Sequence, residues 1–275
     1  AADKLTVNVS EALNFGDYVK EGGDTFTVTS VSGTRPVVPD VGTYTTGGTS
    51  DGRYVYVAMA TDTVGSDSGT VTIYQLDPMN DFSVVANQRI GDFGPSGDYD
   101  RMFVKDNTLY CILEANKVYS ISLGEDGTGF ASNEFASATL PFTGTDAEWN
   151  EELGRYAVRN GNNIYLYNEN GELVTDADVT NTFTPSGTGT LSAIASDEKY
   201  IYVSFRSDNQ TSIPIVIYDW NGNLVGTCAP QSAGYPEAGY NTQAMFEYNG
   251  AMYATVCSFG TAGYHMYVWA ITPVA

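Results

Sequence analysis

One phrase recurs five times along the chain, and it restricts the fold more than any other feature. Each copy has a proline, a glycine two or three residues later, a polar turn and then an alternating run rich in aromatic residues. The five copies begin at residues 39–42, 95–97, 141–144, 185–187 and 236–239. Their glycines are separated by 55, 47, 43 and 52 residues, a period in the range of propeller blades. The repeat therefore predicts a closed array of similar units.

Each copy continues with strand and turn signals in the same order. β-branched and aromatic residues alternate on a two-residue period in runs such as 54–57 and 71–74, and Asp, Asn and Gly bound these runs. Two copies turn back through Asn170-Gly171 and Asn221-Gly222, dipeptides that favour a β-hairpin. The pattern predicts an all-β fold, a five-bladed β-propeller of four-stranded antiparallel blades.

The last copy is one strand short, because the chain ends at Ala275 soon after its third strand. The segment 24–31 alternates like a strand and precedes the first copy, so we predict that it closes the last blade. Such closure removes an exposed sheet edge. The predicted organisation is one propeller domain over residues 1–275, with an N-terminal extension at 1–23, the closing strand at 24–31 and blades at 42–275.

The charge excludes some partners. The chain has 33 acidic and 12 basic residues, a formal net charge of −21, and therefore repels nucleic acid and anionic lipid. We interpret this acidity mainly as a source of solubility. Calcium at oxygen-rich loops, such as 62–67 and 98–100, is a weaker alternative, because neither has the ligand spacing of an EF-hand. We predict no cofactor and a monomer.

The composition also bears on location. The sequence has no apolar stretch long enough to cross a bilayer. The chain opens on Ala1 instead of a methionine, which we interpret as the start of a mature or trimmed chain. Together with the acidity and the low lysine content, this predicts an extracellular, cell-surface or periplasmic protein.

Cysteine and histidine are too few for several kinds of catalytic site. Three cysteines do not make a disulfide framework, and Cys111 occupies a strand position that favours a buried apolar role. The single histidine, His265, cannot form a multi-histidine metal centre, and no Gly-x-Ser-x-Gly motif is present. The sequence therefore argues against zinc enzymes and triad hydrolases.

Two segments resemble a known repeat family. Residues 51–58 with 70–74, and residues 197–203, are similar to blades of YVTN-type β-propellers, which include lactonase-like proteins. The resemblance covers nearly the whole chain, and the overall pattern resembles uncharacterised secreted bacterial propellers. It implies a propeller fold and a repeated strand framework. It identifies no catalytic residue, since lactonase-like members generally have seven blades.

Residues near the repeated glycines are the candidates for function. Loops that join one blade to the next, and the second strand to the third, emerge around one mouth of a propeller's channel. Aromatic side chains interleaved with Asp, Asn and Thr suit a neutral polyhydroxylated ligand. We predict a non-catalytic module that binds glycan or glycoprotein. Its predicted ligand-binding residues are Tyr44, Asp98, Tyr99, Asp146, Arg206, Tyr235, Tyr240 and Asn241.

Two alternatives stay open. A five-bladed glycoside hydrolase would use inner-strand carboxylates as acid and base or nucleophile. The candidates for that role are Asp98, Asp100, Asp146 and Glu148, which belong to only two neighbouring copies. A protein-interaction platform is the other alternative, because the face of a propeller suits it.

Overall fold

The structure of the protein is a computed structural model. It describes residues 13–15, 25–30, 43–61, 70–80, 83–92, 101–114, 117–187, 189–206, 215–228, 230–232, 240–248, 251–258 and 264–274. These residues form strands, turns and one short 3₁₀ helix, Pro78–Asn80. Within them, no helix has the length and apolar character needed to cross a membrane. The prediction of an all-β chain is confirmed for the described residues.

The strands are numbered in chain order. They are β1 (Leu13–Phe15), β2 (Thr25–Ser30), β3 (Thr43–Ser50), β4 (Val55–Thr61), β5 (Thr70–Asp77), β6 (Ser83–Asp92), β7 (Arg101–Lys105), β8 (Thr108–Glu114), β9 (Lys117–Ser122), β10 (Ala136–Ala138), β11 (Asp146–Asn150), β12 (Arg155–Asn160), β13 (Asn163–Asn168), β14 (Thr182–Phe183), β15 (Thr190–Ser196), β16 (Tyr200–Arg206), β17 (Ile215–Asp219), β18 (Leu224–Cys228), β19 (Pro230–Ser232), β20 (Tyr240–Tyr248), β21 (Ala251–Ser258) and β22 (Tyr264–Val274).

Most strands belong to four-stranded antiparallel sheets. We define a blade as a sheet of four consecutive strands, each paired with the next. Blade 1 is β3–β6, blade 2 is β7–β10, blade 3 is β11–β14 and blade 4 is β15–β18. A further sheet, the composite sheet, has the order β2-β22-β21-β20, and β1 pairs with β19 in a two-stranded sheet. The first strands of successive blades are neighbours, and β20 lies beside both β15 and β3.

The predicted number of five blades is corrected to four. Among the residues that the structure describes, four sheets are each built from four consecutive strands. In the composite sheet, β2 pairs antiparallel with β22 from Thr25↔Val274 to Ser30↔Trp269. The physical reason is that the fifth copy of the repeat supplies three strands, so the free edge of its last strand takes a partner from the opposite end of the chain. The side chains of this sheet are described only for residues 245–248.

The hydrophobic core lies between neighbouring blades. One cluster joins blades 1 and 2, a second joins blades 2 and 3, and a third joins blades 3 and 4. Residues such as Ile73, Ile112 and Leu166 are fully buried in these clusters. Cys111 is buried, as its strand position predicted. Because each cluster draws apolar side chains from two blades, burial stabilises the contact between blades as well as each sheet.

The glycine of the repeated phrase allows a close approach in blade 4. A Cβ atom on Gly187 would lie 2.5 Å from Cδ2 of the Phe205 ring. Any side chain there would have to displace an aromatic ring that is itself buried. The repeat therefore carries glycine at this position because the connection between blades 3 and 4 crosses directly over a core side chain.

Blades 1 and 4 each contain a hydrogen bond from a strand tyrosine to an aspartate in the preceding turn. We call this tyrosine–aspartate hydrogen bond a pin. In blade 1, Asp51 Oδ1 accepts the backbone N–H of Tyr54 at 2.6 Å and its Oδ2 accepts the Tyr56 hydroxyl at 2.7 Å. In blade 4, Asp197 Oδ2 accepts the Tyr202 hydroxyl at 2.6 Å, and its Oδ1 accepts two backbone N–H groups of the same turn. Tyr56 is 0% and Tyr202 2% exposed, so both lie inside blades.

Candidate functional site

The starts of three inner strands meet at one end of the propeller. Arg101 is the first residue of β7, Asp146 is the first residue of β11, and Ser192 lies near the start of β15. Arg101 contacts both of the others, although they belong to different blades. We call this end of the strands the channel mouth. It is the end at which the sequence analysis placed the functional residues.

A β-bulge at Ser192 organises the channel mouth. The pairing of β15 with β16 shifts register between Leu191 and Ala193, which leaves Ser192 outside the regular ladder. Its carbonyl accepts a hydrogen bond from Arg101 Nη2 at 2.7 Å and another from Arg159 Nη1 at 2.9 Å. Guanidinium groups from blades 2 and 3 therefore hold the inner strand of blade 4.

Asp146 lies beside these guanidinium groups. Its Oδ2 is 3.8 Å from Arg101 Nε and accepts the backbone N–H of Ile194 at 3.2 Å. Asp146 also faces Arg159 across the β11–β12 ladder. The residue is 2% exposed, and this burial raises the pKa of Asp146 to about 6, with both arginines acting in the opposite direction. The carboxyl is therefore mainly ionised at pH 7 and balanced by cations.

Glu148 lies on the same face of β11 as Asp146, since side chains two residues apart on a strand point the same way. Its Oε2 accepts the Ser196 hydroxyl of blade 4 at 3.0 Å. The residue is 7% exposed, and burial, followed by the charge of Asp146, raises the pKa of Glu148 well above its usual range. The two carboxyl groups thus differ in their described surroundings: Arg101 and Arg159 lie beside Asp146, whereas the Ser196 hydroxyl donates to Glu148.

The chemistry open to this cluster is limited by its burial. Asp146, Glu148 and Asn150 all hydrogen-bond to residues of blade 4 or its first turn. Their polar atoms are occupied in joining two blades, and water reaches them poorly. Among the residues that the structure describes, no group of three or more His, Cys, Asp or Glu side chains is arranged to hold a metal ion. The loops considered for calcium, 62–67 and 98–100, lie outside the described residues.

The structure places only some of the predicted site residues. Asp146 lies at the channel mouth and is buried. Tyr44, Tyr240 and Asn241 lie at the starts of their inner strands, and Arg206 pairs with Thr190 at the same end of blade 4. The side chains of these four residues are outside the described part of the structure, and so are residues 98–100 and Tyr235.

Sequence reasoning missed the two arginines. Arg101 directly follows the acidic stretch 98–100, and Arg159 lies across the predicted hairpin from Asp146. In a chain with only 12 basic residues, two cations at the ends of neighbouring strands were a usable signal. What the sequence does not show is that both reach the carbonyl of a bulged residue in a third blade.

Comparisons with known proteins support the fold. No protein-family model matches the chain, and no curated protein is similar to it. Among solved structures, the glutaminyl cyclase of Myxococcus xanthus is 14% identical, with 90% of this chain and 97% of that chain covered and a TM-score of 0.53. TolB from Acinetobacter baumannii is 13% identical, covering 98% and 65% of the two chains, with a TM-score of 0.43. The propeller domain of the trilobed protease from Pyrococcus furiosus is 12% identical, covering 87% and 85%, with a TM-score of 0.37.

These similarities concern the fold alone. The propeller part of the predicted resemblance agrees with the four-stranded antiparallel blades of the structure. No family model or sequence match supports the finer assignment to YVTN-type repeats. At such low sequence identity, the activities of these proteins do not transfer to this chain.

Proposed function

We propose that this protein is a non-catalytic, secreted or surface-exposed module that binds glycan or glycoprotein at the channel mouth. One observation carries the proposal: the described carboxyl groups of the inner strands, Asp146 and Glu148, are buried and hydrogen-bonded to blade 4. These carboxyl groups stabilise the contact between blades 3 and 4. We therefore assign recognition of the ligand to the residues around them.

The contrast with a glycoside hydrolase is geometric. Such an enzyme needs two carboxyl groups on either side of a sugar bond, about 5 to 9.5 Å apart, with access for substrate. Asp146 and Glu148 project from the same face of one strand into the junction with β15. A sugar ring between them would have to replace the contacts that join blades 3 and 4. This arrangement favours binding over hydrolysis.

The class of ligand follows from charge and residue type. A net charge of −21 disfavours polyanionic ligands, whereas neutral sugars carry no penalty. Tyr99, Tyr240 and Asn241 supply aromatic and amide groups near the starts of inner strands, and aromatic rings stack on the apolar faces of sugars.

A panel of neutral glycans tests the proposal. We expect Tyr99→Ala and Tyr240→Ala to weaken binding of the best glycan about 30-fold or more, which corresponds to about 2 kcal/mol for an aromatic anchor, and to leave Tm nearly unchanged. The matched control is Tyr202→Ala, which removes a buried tyrosine and should lower Tm strongly.

Two results would contradict the proposal. If Tyr99→Ala and Tyr240→Ala lower Tm as much as Tyr202→Ala does, these two tyrosines belong to the core and not to a binding surface. Release of reducing sugar by the intact protein, abolished in Glu148→Gln, would establish a glycoside hydrolase.

A further inference from the structure

The partners of the buried Glu148 carboxyl group differ from those of Asp146, the other buried carboxyl group on β11. Within the described part of the chain its hydrogen-bond partner is a hydroxyl, Ser196 Oγ, at 3.0 Å. Asp146, two residues away, instead has the cations Arg101 and Arg159 close by and a backbone N–H at 3.2 Å. A carboxylate in the interior needs a cation or several hydrogen bonds, and among the described residues the group that donates to Glu148 is the Ser196 hydroxyl.

The charged groups around Glu148 strengthen this contrast. On its own strand, Asp146 contributes a negative charge that opposes a second one. The cations Arg101 of β7 and Arg159 of β12 lie at the channel mouth, where both donate to the Ser192 carbonyl. From β15, the group that reaches Glu148 is the uncharged Ser196 hydroxyl.

We infer that folded Glu148 keeps its proton at pH values at which the unfolded chain has lost it, and that the contact between blades 3 and 4 at this residue depends on that proton. When Glu148 is protonated, its hydrogen bond with Ser196 connects β11 to β15 and no charge is buried. Without its proton, two like charges stand on one face of β11 in a dry interface, and the junction weakens. The inference does not depend on the proposed ligand, since it concerns the scaffold.

The sign of the pH effect follows from proton linkage. The pKa of Glu148 in the folded protein lies above its value in the unfolded chain. Its contribution to stability is therefore fully present below the unfolded value and is lost as the pH rises through the folded value. Each pH unit between the two values changes the folding equilibrium constant about tenfold.

Thermal unfolding of Glu148→Gln against pH tests the inference. Glutamine keeps the shape and cannot ionise, so the variant should match the wild type near pH 5 and melt above it at pH 8 to 9, on the order of 5 °C higher. The matched control is Glu152→Gln, the same substitution at an exposed position four residues away, which should keep the pH dependence of the wild type. A wild-type pH dependence in Glu148→Gln would overturn the inference.

Infrared spectroscopy reads the proton directly in the unmodified protein. We expect a carbonyl band of a protonated carboxyl group at pH 7.5, absent in Glu148→Gln and shifted in Ser196→Ala, because the band responds to the hydrogen-bond partner. If Glu148→Gln does not fold, the wild-type and Ser196→Ala spectra still decide the question. A wild-type spectrum without this band would show that Glu148 is ionised, and the inference would be wrong.

Discussion

Removing one hydroxyl group tests how the tyrosine pins hold the blades. Tyr202 is 2% exposed and donates to Asp197 Oδ2 at 2.6 Å, a short hydrogen bond to a carboxylate. Burial, with the charge of Asp197, raises the pKa of Tyr202 far above its usual range, so the hydroxyl remains a donor at any ordinary pH. Tyr202→Phe keeps the ring and its packing and removes only this donor.

The expected cost follows from the kind of hydrogen bond. A hydrogen bond to a charged group contributes about 1.5 to 3 kcal/mol, and the lower end applies because Asp197 keeps two backbone N–H donors. For a chain of this size, 1 kcal/mol shifts Tm by about 2 to 4 °C. We therefore expect Tyr202→Phe to lower Tm by about 3 to 6 °C, measured by calorimetry at pH 7.

Tyr56 in blade 1 provides a matched comparison, because its hydroxyl has Gln75 as a hydrogen-bond partner in addition to an aspartate. The Tyr56 hydroxyl donates a hydrogen bond to Asp51 and accepts one from Gln75 Nε2 at 2.9 Å. Gln75 is fully buried and connects this pin to blade 2 by donating to the Gly127 carbonyl at 2.8 Å. Tyr56→Phe should therefore cost about 1 kcal/mol more than Tyr202→Phe. Equal losses in the two variants, or no loss in either, would refute this account of the pins.

Two further predictions concern the ends and turns of the sheets. Deleting residues 1–31 removes β2 and exposes the edge of β22, so it should lower Tm and promote aggregation more than deleting residues 1–23, and an unchanged Tm in calorimetry would disprove a stabilising role for β2. Gly222 has a φ of +80° and a Cβ there would lie 2.1 Å from the Thr180 carbonyl oxygen, whereas Gly154, with a φ of +60°, has open space. In urea unfolding we expect Gly154→Ala to cost about 1 kcal/mol and Gly222→Ala clearly more, and similar costs would contradict the predicted clash.

The repeated phrase was sufficient to predict the propeller and its strands. Alternation at 54–57 and 71–74 lies within or beside β4 and β5, and Asn221-Gly222 turns β17 back into β18. These features are local, because side-chain alternation and turn chemistry depend on residues that are close in sequence. The number of blades was not predicted correctly: five were expected and the structure has four. The fifth copy supplies only β20, β21 and β22, and its sheet is completed by β2.

The candidate site was predicted less completely than the fold. Asp146 and Glu148 were recognised as inner-strand carboxyl groups, but their burial was not. The two arginines that meet at the Ser192 carbonyl come from strands far apart in the sequence. A β-bulge depends on the pairing of two particular strands, so the alternation of side chains gave no sign of it.

By itself, the sequence determined which segments become strands, where they turn, and that the chain is strongly acidic. These properties follow from spacing and composition. Only the tertiary structure decided that Asp146 lies among cations while Glu148, two residues away, faces a hydroxyl. The physical reason is that the pKa and role of a buried carboxyl depend on the groups that neighbouring blades bring against it, and those groups come from distant parts of the chain.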